Sequence, residues 1–225
     1  MAAAYPQSYH SDVSTHDTRS GYRRGRARAA AIFMLLLLAT LFAPATTVSA
    51  HKDDAANGVL LVASPAMQDP NFRHTVVLVT QTPDGGSIGF IINRPGTRSL
   101  AEILPHNELM KRFTEPLFQG GPVEAAGLFA MLRAKGSVPG ALQVLDDVSF
   151  AMDPAVVEQL LHDPPGRVRF FNGYAGWGPG QLAFELSRGG WYVLSADADT
   201  VFRENTDTLW KDLLLRAQAV MAFLR

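Results

Sequence analysis

His74 and Asp69 are the nearest approach to an acid–base pair in this chain. The histidine stands at the mouth of a β-branched run, HTVVLVTQ, and the aspartate lies five residues back in the turn-rich loop MQDPNFR. Hydrolytic chemistry on that pair would need a nucleophile oriented by the imidazole. Ser64 and Thr75 lie nearby in sequence, but no G-x-S-x-G elbow is present. The competing reading of His74 is a structural or solvated side chain. The six histidines show neither H-x-x-x-H nor H-E-x-x-H spacing. The chain has no cysteine, which excludes thiolate metal sites, disulfides and cysteine nucleophiles. No G-x-G-x-x-G fingerprint follows a strand. The expectation is therefore a protein without metal or cofactor that binds rather than catalyses, with a hydrolase or transferase using His74 as the alternative.

Three other blocks carry residue types suited to holding a ligand. Asn93-Arg94-Pro95 closes a strand, and an amide beside a guanidinium suits an anion; alternatively Asn93 bonds the turn backbone and Arg94 pairs with an acid. Gln119-Gly120-Gly121-Pro122 follows a strand, and a glycine pair there can form a nest of backbone amides or simply a tight turn. Residues 172–191, NGYAGWGPGQLAFELSRGGW, crowd glycines around large amphipathic rings. Tyr174, Trp177 and Gln181 can line a cleft there, with Glu185 one helical turn beyond Gln181. The plainer alternative places Trp177 in the core and Glu185 in solvent. The predicted ligand site is the meeting of Asn93, Arg94, Gln119, Gly120, Gly121, Tyr174, Trp177 and Gln181.

The elements that must position these residues are short and turn-punctuated. Residues 58–63 read as a buried strand, and 74–81 and 87–93 as a hairpin across Thr82-Pro-Asp-Gly-Gly86, where Asp84-Gly85 supplies the turn. Ser99 with Glu102 resembles a capping box and predicts a short helix. Residues 117–123 and 127–133 are strand candidates, and 142–150 alternates weakly around Asp146-Asp147. Asp153-Pro154 starts a helix that Asp163-Pro-Pro-Gly166 stops. RVRFF (167–171) is a strand, 180–188 a helix closed by Gly189-Gly190, 191–195 a final strand, and 206–221 the last helix after a short one at 197–202. Early hairpins followed by mixed helices indicate one α+β domain over residues 58–225.

The N-terminal 50 residues have a different character. A polar start at 1–20, which reads as disordered, is followed by RRGRAR (23–28) and an apolar run of 15 residues at 29–43. That run is shorter than the roughly 20 residues a spanning helix needs. Small residues ending in Val48-Ser49-Ala50 complete the pattern of a secretory signal peptide, with a polar spacer at 51–57. Export and cleavage near Ala50 are expected; an uncleaved membrane anchor at 29–43 is the alternative, and the only expected membrane contact. Beyond Ala50 there are 15 basic and 19 acidic side chains, a net of −4, which is a poor match for a nucleic-acid backbone.

The blocks LLVASPAMQDPNFRHTVVLVTQTPDGGSIGFIINRP, FQGGPV and NGYAGWGPGQLAFEL together resemble the AlgH/YqgE family of bacterial proteins, over about residues 57–216. The resemblance implies a largely antiparallel, barrel-like sheet with flanking helices. It also implies the family's common label of transcriptional regulator, and a cytoplasmic place for the typical member. The chain departs from the family in its export segment. It departs again over residues 124–136, where Ala126-Gly127 and Arg133 stand in place of an arginine-glycine pair and a histidine. A small molecule or a protein is the expected partner.

Overall fold

A computed structural model describes residues 58–223. The predicted signal peptide, its cleavage point, the polar start and the spacer at 51–57 lie outside the described residues. Among the described residues, no helix is long and apolar enough to cross a membrane.

Ten strands form one curled sheet: β1 (Val59–Ala63), β2 (Val76–Gln81), β3 (Ser87–Ile91), β4 (Pro95–Ser99), β5 (Pro116–Gln119), β6 (Val123–Arg133), β7 (Leu142–Leu145), β8 (Val148–Ala151), β9 (Arg167–Trp177) and β10 (Trp191–Ser195). The main order is β10-β1-β2-β3-β9-β6-β8-β7, antiparallel throughout, with β4 and β5 attached beside β9. Among the described residues the one parallel pairing joins β5 to β9, through Phe118 opposite Phe171 and Gln119 opposite Asn172. The N–H of Gly58, just before β1, donates to the Val144 carbonyl on β7 at 2.9 Å. The residue leading into β1 thus reaches across to β7, and the sheet curls into a half-barrel.

Alternation along each strand separates two faces. Leu60 and Val62 of β1 join Phe90, Phe129, Phe150 and Phe171 inside the curl. Leu61 and Ala63 face the other way, with Val77, Ile91, Trp177 and Trp191. Five helices cover these faces: α1 (Leu100–Ile103), α2 (Pro154–His162), α3 (Gln181–Ser187), α4 (Ala198–Val201) and α5 (Leu209–Phe223). Helix α5 closes the inside of the curl with Leu209, Leu213, Leu214 and Ala217. Helix α2 is capped by the Asp153 carboxylate and buries Val156, Val157 and Leu160 against the outer side of β6 and β8. Burying those three side chains contributes about 1.5–3 kcal/mol each. The Ser99–Glu102 capping box forms at α1 with both reciprocal bonds.

Three elements go beyond the sequence expectation. Strand β4 (PGTRS) has no apolar alternation because it is mostly exposed and pairs only with β5. Residues 142–150, which alternate only weakly, are two short strands with Asp146-Asp147 as the turn between β7 and β8. Strand β9 continues past the expected end at Phe171 to Trp177, with a kink at Gly173 (φ +64), before α3 begins.

Candidate functional site

The three blocks expected to meet do meet, but through their backbones. The Gln119 N–H donates to the Arg94 carbonyl at 2.9 Å, and the Gly120 N–H to the Asn172 carbonyl at 2.8 Å. A Cβ on Gly120 would fall on the Gly173 carbonyl oxygen, and one on Gly121 on the Tyr174 carbonyl. Gly173 itself has φ +64, and a Cβ there would lie 2.5 Å from the Gly121 oxygen. These glycines let β5 lie directly against β9, with no recess between them.

The side chains of the blocks diverge. Asn93 accepts from the Val76 N–H at 2.8 Å and donates to the His74 carbonyl at 2.9 Å, so it ties β3 to the start of β2. Arg94 donates to the carbonyls of Asn71, Pro70 and Arg73, at 2.6, 3.3 and 3.2 Å. It holds the 69–74 loop in place of an anion; burial, helped by nearby Arg73, pushes its guanidinium below its ordinary value. Tyr174 points to the inner face, edge-on to Phe129 at 5.3 Å. Burial, with Glu124 adding to it, raises its phenol. Trp177 points to the outer face. Odd and even positions of one strand cannot share a cleft, so Tyr174 stands apart from Trp177 and Gln181.

Trp177 and Gln181 belong to a second cluster. The Glu185 carboxylate accepts from the indole N–H of Trp177 at 3.1 Å and of Trp191 at 2.9 Å, and from the Gln181 amide at 3.2 Å. Phe72 stacks on Trp177 at 5.6 Å and meets Trp191 edge-on at 5.5 Å. Helix α3 buries no residue fully, so this carboxylate and the flanks of Leu182 and Leu186 hold it to the sheet. Glu185 is therefore a fastening between two tryptophans rather than a solvated charge.

His74 and Asp69 make no pair. His74 is exposed, has a left-handed φ of 59° and packs its ring on Trp210 at 4.3 Å. Asp69 caps its own loop through the Asn71 N–H at 2.8 Å. The Ser64 hydroxyl is buried without a hydrogen-bond partner, and the Thr75 hydroxyl donates to the Phe72 carbonyl. Neither hydroxyl is oriented by the imidazole. Among the described residues, no cluster of His, Asp and Glu is arranged to hold a metal ion.

The site with chemistry to offer is one the motifs did not single out. An open groove of about 470 Å³ lies between β4, β5, β9 and the 204–207 turn. Arg167 and Arg169 enter it from one face of β9, Phe118 from β5, and Glu115, Glu204 and Asp207 from its rim. The Arg169 side chain is 1% exposed. Its Nε faces Glu115 at 3.2 Å, its Nη1 donates to the Val201 carbonyl at 2.9 Å and its Nη2 to the Arg203 carbonyl at 3.1 Å. Its guanidinium lies 4.4 Å from the Phe118 ring centroid. Burial lowers its pKa from the ordinary arginine value, while Glu115 opposes that shift. Glu115 also accepts from Arg167. The signal in the sequence is R-V-R-F-F: two arginines at the two-residue strand repeat share a face.

Comparison with known proteins follows the fold. A family model described as AlgH-like matches residues 60–222. A UPF0301 protein of Thermobifida fusca is 37% identical over 190 residues, covering 79% of this chain and 95% of that one. One of Chlorobium limicola is 34% identical over 161 residues, covering 70% and 84%. The solution structure of the AlgH protein from Pseudomonas aeruginosa aligns with a TM-score of 0.57 at 28% identity, over 74% of this chain and 89% of that chain. A crystal structure of a Corynebacterium diphtheriae protein, 24% identical with TM-score 0.57 over 72% and 86%, has the same fold.

Proposed function

This chain belongs to the AlgH-like family, whose names assign no biochemical role, and from that premise we propose that it is an exported binding protein which takes a small ligand in the Arg167–Arg169 groove. The observation that carries this reading is a guanidinium held almost fully buried on the wall of an open groove. Burying such a charge costs free energy that a packed apolar side chain would not incur. Arg169 leaves N–H donors beyond its three protein acceptors, since a guanidinium has five. Arg167 beside it supplies more, and the exposed Pro116 offers apolar surface at the rim.

The charges around the groove set the ligand class. Two arginines stand against Glu115, Glu204 and Asp207, a local excess of negative charge that disfavours a polyanion. A neutral or zwitterionic molecule with hydrogen-bond acceptors and one flat apolar face fits better. The −4 balance of the body supports the same choice over nucleic acid. Export rests on the pattern of residues 23–50.

Two measurements test this. Amide NMR titration with a panel of small acceptor-bearing compounds should move signals at residues 115, 117, 118, 167–169 and 204–207 together, and Arg167→Ala should remove those shifts. Shifts scattered over other faces, or none at millimolar compound, would end the ligand reading. The intact mass of the protein from its own cells should start at His51; a mass that retains residues 1–50 on soluble material would end the export reading.

A further inference from the structure

The two margins of the curled sheet are treated differently. Strand β7 is short, is broken by a register shift between Gln143 and Leu145, and has Val144 occupied by the Gly58 N–H. Those are the ordinary devices that keep a sheet edge from adding strands. Strand β10, WYVLS, is one residue longer and has neither the register break nor a bond from outside its own pairing with β1. It contains no proline and no charged residue, and its five-residue register with β1 is unbroken.

The hydrogen-bonding side of each β10 residue follows from one bond. The Ser64 N–H donates to the Gly190 carbonyl at 2.9 Å, so that pair is hydrogen-bonded, and so, two residues on, are Val62–Tyr192 and Leu60–Leu194. The backbone groups of Trp191, Val193 and Ser195 therefore point away from β1, and among the described residues no strand lies beyond them. Val193 is 49% exposed at the centre of this row.

We propose that β10 is a docking edge for a second copy of this chain, the two strands pairing antiparallel about Val193 to join two half-barrels into one sheet. The edge is complementary to itself. A two-fold axis at Val193 sets Val193 opposite its counterpart and Trp191 opposite Ser195. All the outward donors and acceptors are then used, and the two exposed valines lie side by side on one face.

Charge selects the same occupant. The end of β10 after Ser195 borders a groove lined by Asp146, Asp147, Asp197 and Asp199 against Arg133 alone. The other end follows Arg188, which is exposed and enters none of the ion pairs among the described residues. The same two-fold carries Arg188 of each copy toward the acidic groove of the other. An unrelated extended peptide would need to reproduce both the alternation and this charge order. A five-residue edge is small, so the association belongs to the weak class of interface.

Sedimentation velocity of the full-length protein across about 5–500 μM tests this, a span suited to weak association. A monomer–dimer equilibrium is expected, weakened by added salt. Val193→Pro removes an N–H that β1 does not use and should weaken the dimer at least tenfold, with the circular dichroism spectrum unchanged. Val193→Lys, which keeps every backbone donor, should weaken it comparably, and Arg188→Glu should weaken it less. Hydrogen exchange should slow with concentration at the amides of Trp191, Val193 and Ser195 alone within β10. A monomer at every concentration overturns the proposal. So does a dimer indifferent to both Val193 variants, or edge amides protected only when an added peptide binds.

Discussion

Glu115→Gln is the most informative single change in the groove, because it removes the charge that compensates two arginines while keeping the side chain's shape. The carboxylate lies 3.2 Å from the Nε of Arg169, which is 1% exposed, and it also bonds Arg167. At an effective dielectric constant of about 20, a charge pair at that distance is worth about 5 kcal/mol. Glu115 is 37% exposed, so solvent screens part of this, and the glutamine carbonyl still accepts one bond. A loss of about 2–4 kcal/mol of folding free energy is the outcome, most of it the cost of leaving Arg169 buried without its counter-charge. Urea unfolding followed by tryptophan fluorescence and by far-ultraviolet circular dichroism measures it. Repeating the change in an Arg169→Met background isolates the cause. There only the half-exposed Arg167 pair remains, and the loss should fall to about 0.5–1 kcal/mol. A loss under about 1 kcal/mol in the native background, or the same loss in both backgrounds, would refute the claim that the groove is built around a buried charge.

Three further outcomes follow from the rest of the structure. Glu185→Ala leaves two indole N–H groups without an acceptor and should cost about 2–4 kcal/mol with a red shift of tryptophan emission; Glu185→Gln should be milder in both readouts. Gly173→Ala forces a Cβ onto the Gly121 carbonyl at φ +64 and should destabilise by at least about 2 kcal/mol, whereas Gly178→Ala, with open space around it, should stay within about 0.5 kcal/mol in the same unfolding assay. Asp197 caps α4: burial pushes its carboxyl up, but the Thr200 N–H and hydroxyl, with Arg216 nearby, outweigh that and leave it below its ordinary value. A depressed carboxyl adds stability above its unfolded pKa near 4 and loses it as pH falls through the lower folded value. The stability gap between the native protein and Asp197→Asn should therefore be constant from neutral pH to about 5 and close below about 4; a gap that widens on acidification would contradict the capping role.

Local signals in the sequence were legible where they act over a few residues. The Asp84-Gly85 turn, the Ser99–Glu102 box and the Asp153-Pro154 start each need only their neighbours, and each forms as its residue types dictate. What escaped depends on distant partners. Strand β4 has no pattern of its own because β5 alone recruits it. Tyr174 and Trp177 read as one aromatic group until β9 is seen to extend past them, and then the two-residue repeat sends them to opposite faces. The Arg167–Arg169 pair was visible as a repeat, but Glu115 lies 52 residues from Arg167 and nothing local links them.

The blocks that carry the family resemblance and the groove that carries chemistry occupy different parts of the chain. Gly120, Gly121 and Gly173 belong to the resembling blocks, and their role is to let β5 lie against β9 at backbone distance. Arg167, Arg169, Glu115 and Glu204 lie outside those blocks, yet Phe118 and β9, positioned by that close approach, line the groove. The residues that set the architecture and those that set the groove's charge are thus separable. A substitution at the crossing should weaken folding and binding together, whereas Arg167→Ala, half-exposed and not required by the backbone, should change binding with the fold retained.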